Sequence, residues 1–409
     1  MKAIVLSVGD ELVSGQAVDT NSAYLSRRLG ELGIAVAEHR TVADDQQAIA
    51  EAIASAAAAA ELVVVTGGLG PTADDLTRQA LAAALGVELV LDADRAAEIE
   101  EFFRRRGRTM PPANRIQAMI PAGAEAIPNT MGTAPGIAAK VGKAGVYVLP
   151  GVPHEMREMF DRSVAPRLRG GGGLVHRLVH CFGEGESDIA ARVEDLMHRG
   201  RNPAVGTTVV AGMVTLRVVA SGKTHTQAAE LAEQTVAEII RRLGKLVVGT
   251  DEQTLPAAAG SLLRQARATL ATAESCTGGL VGQLVTSVPG SSDYYLGGVV
   301  AYANRLKGEL LDVPPKTLDR FGAVSEQAAS AMAEGCRKRL AADWALAVTG
   351  IAGPGGGSKD KPVGLIYVGL AGPKGTVAYK HLFAGTREFI RLRAALTAIN
   401  CLRLALLDQ

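Results

Sequence analysis

Apolar residues come in short runs at 2–8, 34–39, 61–66 and 145–149, while over 21–32, 46–60, 76–85 and 93–106 they recur every three or four positions. Such runs predict strands and such recurrence predicts helices. Their alternation up to about residue 168 predicts a parallel sheet covered by helices. Four glycines, Gly170–Gly173, then break the pattern as a linker. Beyond them the order strand (174–182), helix (189–197), strand (209–219), helix (226–243), strand (245–248) predicts a small α+β unit. The pattern restarts with a helix at 255–266 and strands at 268–273 and 294–302. It continues with a helix opened by Ser325 and Glu326, a strand at 344–349, a strand pair near 363–383 and a closing helix from Arg387. This last part is again α/β, and the expected domains are 1–169, 170–250 and 251–409.

The candidate chemistry sits where strands pass into glycine-rich turns. Ala271-Thr-Ala-Glu-Ser-Cys-Thr-Gly-Gly-Leu280 runs from a strand through Ser275 and Cys276 into a helix. A helix start offers N–H groups with no partner inside the helix, suited to a phosphate or to the oxyanion of an acyl transfer. Thr277, Gly278 and Gly279 let the backbone approach a ligand, and Gly350-Ile-Ala-Gly-Pro-Gly-Gly-Gly357 predicts a second wall of the same pocket. A seryl nucleophile needs a base. His381 is the only histidine of this domain and lies on an outlying strand; Lys307 follows the strand ending at Tyr302 and is placed to reach the edge that carries Ser275. Burial lowers a lysine pKa enough to let it accept the seryl proton, an exposed helix lysine being the alternative. Cys276 is the other available nucleophile. Neither glycine loop has the lysine-serine ending of a P-loop or the spacing of a dinucleotide fold.

In the first domain three stretches fall at predicted strand ends: Gly9-Asp-Glu-Leu-Val-Ser-Gly15 with Asp19-Thr-Asn21, Thr66-Gly-Gly-Leu-Gly-Pro-Thr-Ala-Asp-Asp-Leu-Thr77, and Pro150-Gly-Val-Pro-His-Glu-Met156. Gly67, Gly68 and Gly70 would expose N–H groups to an anion. Asp74 and Asp75, expected to open a helix, either cap it or hold a divalent, magnesium-like metal. The basic run Phe102-Phe-Arg-Arg-Arg-Gly-Arg108 reads as a solvated helix end. His176 and His180 read as ordinary strand residues.

A formal charge of +1 over 409 residues gives no electrostatic case for nucleic acid or membrane. No apolar stretch is long enough to span a bilayer, and the N-terminal run reads as a first strand instead of a signal peptide. Four cysteines without a C-x-x-C spacing indicate neither zinc nor a disulfide framework, so a reduced, cytoplasmic protein is expected.

Taken in order, GDEL, DTN, GGLGPTADD and PGVPHEM resemble the molybdopterin-binding-like (MoaB/MogA-like) domain of the CinA, competence/damage-inducible, family. That resemblance implies metal-dependent hydrolysis of ADP-ribose to AMP and ribose 5-phosphate. It implies Gly67, Gly68, Gly70 and Thr72 at the phosphates and Asp19, Asp75 and Glu155 as metal ligands or base; pterin binding without hydrolysis is the competing reading. The middle segment resembles a KH-type fold, but its Gly183-Glu-Gly-Glu turn is acidic and lacks a basic GXXG loop, favouring a spacer or dimerisation role over RNA. From Ala273-Glu-Ser-Cys-Thr-Gly-Gly279 through Gly290-Ser-Ser292, Tyr302-Ala-Asn304 and Gly322-Ala-Val-Ser-Glu326 to Thr349-Gly-Ile-Ala-Gly-Pro354, the last domain is similar to the family's nicotinamide mononucleotide (NMN) deamidase domain. The implied reaction releases ammonia and nicotinic acid mononucleotide without a cofactor. Ser275 would attack, Lys307 would move the proton, and N–H groups from Cys276 to Gly278 would hold the oxyanion. Tyr302, Asn304 and Thr349 would orient base and ligand. Gly353, Gly355 and Arg391 would meet the phosphate, Arg387 being the alternative. A homodimer is expected, and the runner-up is a nucleotide- or pterin-binding regulatory module tied to competence or DNA damage.

Overall fold

The computed structural model describes residues 1–168 and 173–408. They form two compact units, Met1–His176 with Val219–Glu233 and Arg177–Val218 with Gln234–Gln409. Of the expected linker, Gly170, Gly171 and Gly172 lie outside the described residues, and Gly173 already belongs to a strand.

The N-terminal sheet is built from β1 (Lys2–Val8), β2 (Ala35–Val42), β3 (Leu62–Thr66), β6 (Glu125–Ile127), β7 (Gly136–Val141) and β8 (Ala144–Leu149); β4 (Leu89–Leu91) and β5 (Met119–Pro121) pair separately. Its order is β2-β1-β3-β8-β7-β6. The first four of these are parallel, while β7 runs antiparallel to β8 and to β6, so the expected parallel sheet carries an antiparallel edge. Central strands are covered on both faces, which is why β1 and β3 read as unbroken apolar runs. The short edge strands, rich in glycine and alanine, give no such run. Asp19, Asp45 and Asp92 start the helices Thr20–Glu31, Gln46–Ala59 and Ala93–Arg104, each accepting an N–H of the first turn.

The central four-stranded sheet has the order β10-β11-β9-β12, with β9 (Gly173–Phe182), β10 (Ala204–Val210), β11 (Met213–Gly222) and β12 (Val247–Thr250). The single strand expected at 209–219 is two strands. Ala211 (φ 49°) and Gly212 (φ 76°) are both left-handed, the geometry of a two-residue hairpin turn. His176 and His180 lie on β9, as expected.

The C-terminal sheet is β14-β13-β15-β16-β17, from β13 (Leu270–Glu274), β14 (Tyr295–Val300), β15 (Trp344–Gly350), β16 (Leu365–Gly372) and β17 (Gly375–Leu382). β13 is parallel to β14 and to β15, so Glu274, Val300 and Val348 end at one edge. In α/β sheets ligands gather outside such carboxyl ends. Caps fix the helices around it: Thr254 for Leu255–Ala266, Ser325 for Glu326–Arg339 and Thr386 for Arg387–Leu407. Among the described residues no helix is long and apolar enough to cross a membrane.

Candidate functional site

β13 is buried along its whole length, and Ser275 extends its ladder by donating its N–H to the Val348 carbonyl at 2.9 Å. The chain then turns through Gly278 (φ 60°) and Gly279 (φ 95°) into the helix Leu280–Thr286. Glu274, 1% exposed, folds its carboxylate onto that helix start and accepts the N–H groups of Gly279, Val281 and Gly282 at 2.9, 3.0 and 2.8 Å. The chain's own carboxylate therefore fills the place expected for a substrate phosphate, and the anion site cannot be this helix N-terminus. No backbone carbonyl of the described residues takes the N–H of Cys276 or of Thr277, which leaves those amides beside the serine.

Lys307, on the helix Asn304–Leu311, is 1% exposed. Its Nζ lies 3.1 Å from Ser275 Oγ and donates to the carbonyls of Ala301 at 2.9 Å and Tyr302 at 3.1 Å. Burial holds its pKa below the ordinary lysine value. A neutral lysine has two N–H bonds and one lone pair. With both carbonyls satisfied, the lone pair is left to face the seryl hydroxyl. The Cys276 thiol is buried and pushed up to about 12, chiefly by that burial, which makes it a poor nucleophile. His381 lies on β17, the far edge strand of the sheet, where its ring stacks on Phe383.

A pocket of about 290 Å³ opens at the same edge, lined by Ser275, Cys276, Tyr302, Asn304, Lys307, Thr349, Gly353, Gly355 and Arg387 among others. Most of the expected residues thus come together. Thr277, Gly278, Gly279 and Arg391 are not on its wall. Thr277 is fully buried, and Arg391 donates to its carbonyl at 2.7 Å, bracing the nucleophile turn from behind. Arg387 instead donates to the Gly353 carbonyl at 2.6 Å and to the Tyr302 hydroxyl at 3.2 Å. Of the two arginines of the closing helix it is Arg387, not the expected Arg391, that stands in the pocket. Thr349 donates its hydroxyl to the Ala323 carbonyl at 2.7 Å, tying the loop before Ser325 to the end of β15.

In the N-terminal domain the turns after β1, β3 and β8 meet. Gly67 has φ 106°, and a Cβ there would lie 2.2 Å from the Val8 carbonyl oxygen; one on Gly68 would lie 2.1 Å from Thr77 Oγ1. Arg78, 1% exposed, lies beneath this loop and donates to the carbonyls of Leu69 and Gly70; burial holds its pKa down to about 10. The adjoining cleft, about 400 Å³, is lined by Gly67, Gly68 and Gly70 and by the carboxylates of Glu11, Asp44, Asp74, Asp75 and Glu155.

The expected roles of the acidic residues need correction. The helix begins at Thr77, so Asp74 and Asp75 do not open it. Asp75 turns back to accept the N–H groups of Gly70 and Thr72, at 2.7 and 2.9 Å, and the Thr72 hydroxyl. Thr72 thereby braces Asp75. Asp19 is spent on Ser22 N–H at 2.9 Å and Ser7 Oγ at 2.7 Å; burial raises its pKa, but these bonds outweigh it and the carboxyl ends below its ordinary value. Glu155 accepts from Asn129 Nδ2 at 2.7 Å. Among the described residues no three histidine, cysteine or acidic side chains are gathered as a ready metal site. Asp19, Asp75 and Glu155 therefore do not form one ligand set. The donor chemistry of the cleft still fits a hard divalent cation that keeps several waters. Five carboxylates line it together with Gln117 and Thr133, and Asp44 is held above its ordinary pKa by burial and by the charges of Asp10, Glu11 and Asp74.

Family models match the chain in three successive parts: "Probable molybdopterin binding domain" over residues 4–170, "Damage-inducible protein CinA KH domain" over 176–249 and "CinA C-terminal domain" over 252–406. A CinA-like protein of Synechococcus sp. (strain RCC307) is 44% identical over 411 residues, spanning 98% of either chain. The chain belongs to the CinA family. A second CinA relative, a putative competence-damage inducible protein of Halothermothrix orenii, is 43% identical over 95% of this chain and 94% of its own. The crystal structure of the competence/damage inducible protein CihA from Agrobacterium tumefaciens is 41% identical over 38% of this chain and 94% of its own, with a TM-score of 0.37. Two residues of this CinA chain had no assignment from sequence, Glu274 and Arg78. Glu274 is a charge at the end of an otherwise apolar strand, and that misplacement is the signal that points to it; Arg78 lies in the polar stretch Asp74–Gln79 and carries no such signal.

Proposed function

We propose that the C-terminal domain hydrolyses the carboxamide of NMN by a serine/lysine mechanism. The observation that carries this reading is Lys307 Nζ, buried and 3.1 Å from Ser275 Oγ, with its pKa lowered. Neutral Lys307 takes the proton of Ser275 as Oγ attacks the carboxamide carbon. The N–H of Cys276, which lines the pocket and has no carbonyl partner, receives the negative oxygen. Lysinium returns the proton to nitrogen, the carbon–nitrogen bond breaks and ammonia leaves the acyl-serine. Water then adds to the ester carbon, giving its proton to Lys307, and Ser275 is released with nicotinic acid mononucleotide. With the helix start filled by Glu274, Arg387 and the Gly353–Gly355 turn are the groups left for the phosphate.

For the N-terminal domain we propose hydrolysis of ADP-ribose to AMP and ribose 5-phosphate. A divalent cation held at the acidic cleft, with Glu155 and Asp44 among its partners, would screen the pyrophosphate charge. The Gly67–Gly70 loop would approach the phosphates, and Arg78 would hold that loop in shape from below. Pterin binding without hydrolysis is the second reading, favoured by the family model that this region matches. We further propose that the chain works as a homodimer in the cytoplasm.

The test is product formation by the purified chain: ammonia and nicotinic acid mononucleotide from NMN, and AMP from ADP-ribose with magnesium or manganese. Turnover of both supports the reading. No product from NMN overturns the first half, and no AMP with any divalent ion overturns the second.

A further inference from the structure

The basic run that the sequence presents as a solvated helix end forms one wall of a cleft larger than the acidic one. This cleft, about 600 Å³, is lined by Phe102, Arg105 and Arg106 with Arg95, Glu98 and Glu101 on one side and by the loop residues Asn129, Gly132 and Thr133 on the other. Thr133 also lines the acidic cleft, and Asn129 donates to Glu155, which lines it too. The loop is thin at this point because a side chain on Gly132 would strike the Glu155 carboxylate at 2.1 Å. The two clefts therefore share a wall.

Their chemistry is complementary. Arg95 is paired with Glu98 at 2.6 Å and Arg105 with Glu101 at 2.8 Å. Arg106 has no carboxylate partner among the described residues; it donates to the Phe102 carbonyl at 3.2 Å, and its guanidinium carbon lies 3.5 Å from the centre of the Phe102 ring. A planar cation resting on an aromatic ring offers its other face to a flat, electron-rich base. Phe102 is itself locked in place, edge-on to Phe103, whose ring belongs to a small core with Ile99 and Ala118. The acidic cleft has a glycine loop and carboxylates but no aromatic residue on its wall, and the N–H groups of Gly67 and Gly70 are already given to Leu149 and Asp75.

We propose that the Arg106/Phe102 cleft is the nucleoside subsite of the N-terminal domain, taking the adenosine end of a substrate whose pyrophosphate lies at the Gly67–Gly70 loop. This rests on the ADP-ribose reading and assigns the two ends of that substrate to two clefts. The base stacks on the Arg106 guanidinium, so the interaction needs a plane as well as a charge.

AMP binding by calorimetry, without metal, together with the steady-state kinetics of ADP-ribose hydrolysis, tests it in the full-length chain. The variants are Arg106→Ala, Arg106→Lys and Arg106→Glu, and thermal melting checks that they fold. We expect Arg106→Ala to weaken AMP at least tenfold and to raise KM for ADP-ribose similarly, with kcat within about twofold. Arg106→Lys should recover little of the loss, and inhibition by ribose 5-phosphate should be unaffected. AMP affinity unchanged in Arg106→Ala, or restored by Arg106→Lys, overturns the subsite, as does a wild type that does not bind AMP. A wild type that binds AMP in an Arg106-dependent manner without hydrolysing ADP-ribose keeps the subsite and removes the hydrolysis reading instead.

Discussion

The two candidate sites of this CinA chain differ in how much of their chemistry is already assembled. In the C-terminal pocket the serine and its base touch, and the base is held by two carbonyls that leave it one free direction. In the N-terminal cleft Asp75 and Glu155 are already engaged by the protein's own N–H groups and hydroxyl, and Asp44, which accepts the Asp10 N–H, lies among the like charges of Asp10, Glu11 and Asp74. On the proposed reading, one site is an acid–base pair already in contact, and the other is a set of donors that would hold a cation. The difference teaches where each activity is vulnerable. The first should fail when a single side chain is removed and the second when the ion is.

Chelation should separate them most cleanly. EDTA is expected to abolish AMP formation from ADP-ribose and to leave ammonia release from NMN unchanged, and loss of both would break the comparison. Lys307→Ala should lower kcat for NMN by about 10³-fold or more, the scale of a lost general base. The same variant should leave ADP-ribose hydrolysis at the wild-type rate. Glu274→Ala leaves three N–H groups without their charged acceptor, and at about 1–3 kcal/mol for each buried group the domain should melt measurably lower. Glu274→Gln keeps the shape and is expected to lose less; a melting temperature unchanged in both would contradict the anchoring role. Arg387→Ala should raise KM for NMN about tenfold through a lost charged hydrogen bond. Arg391→Ala, which unbraces the Thr277 carbonyl, should act on kcat instead.

The smallest effect concerns the thiols. Cys181, Cys276, Cys336 and Cys401 are all pushed up to about 12 by burial. Their protonated forms are favoured in the folded state, so the stability they contribute is complete below the ordinary thiol value and is lost as pH rises towards 12. Iodoacetamide at neutral pH should label them only on unfolding, with no early loss of NMN turnover, and rapid labelling of Cys276 would argue against its burial.

Much of this was legible in the residues. The strand-turn-helix around Ser275 follows from an apolar run and two glycines; from sequence Lys307 after the next strand is only a candidate against an exposed helix position, and its burial against Ser275 comes from the fold. The parallel core of the first sheet reads from strands apolar on both faces. Three features did not read through. The Ala211–Gly212 turn was hidden because valines continue on both sides of it. Arg387 and Arg391 are one helical turn apart, and only the tertiary placement of that helix decides which enters the pocket. Asp74 and Asp75 have the spacing of a helix start, but Asp75 satisfies the amides of its own loop first, which moves the helix on to Thr77. Local spacing names the groups available; where each one is spent depends on what lies across the fold.

The most direct measurement is the pH dependence of kcat/KM for NMN, in the wild type and in Cys276→Ala and Ser275→Ala. If neutral Lys307 is the base for Ser275, activity rises with pH through a single ionisation below the ordinary lysine value of 10.5 and levels off above it. That rise should persist in Cys276→Ala, and Ser275→Ala should show no turnover at any pH. A flat profile, or turnover that survives loss of Ser275 and disappears with Cys276, would contradict the account.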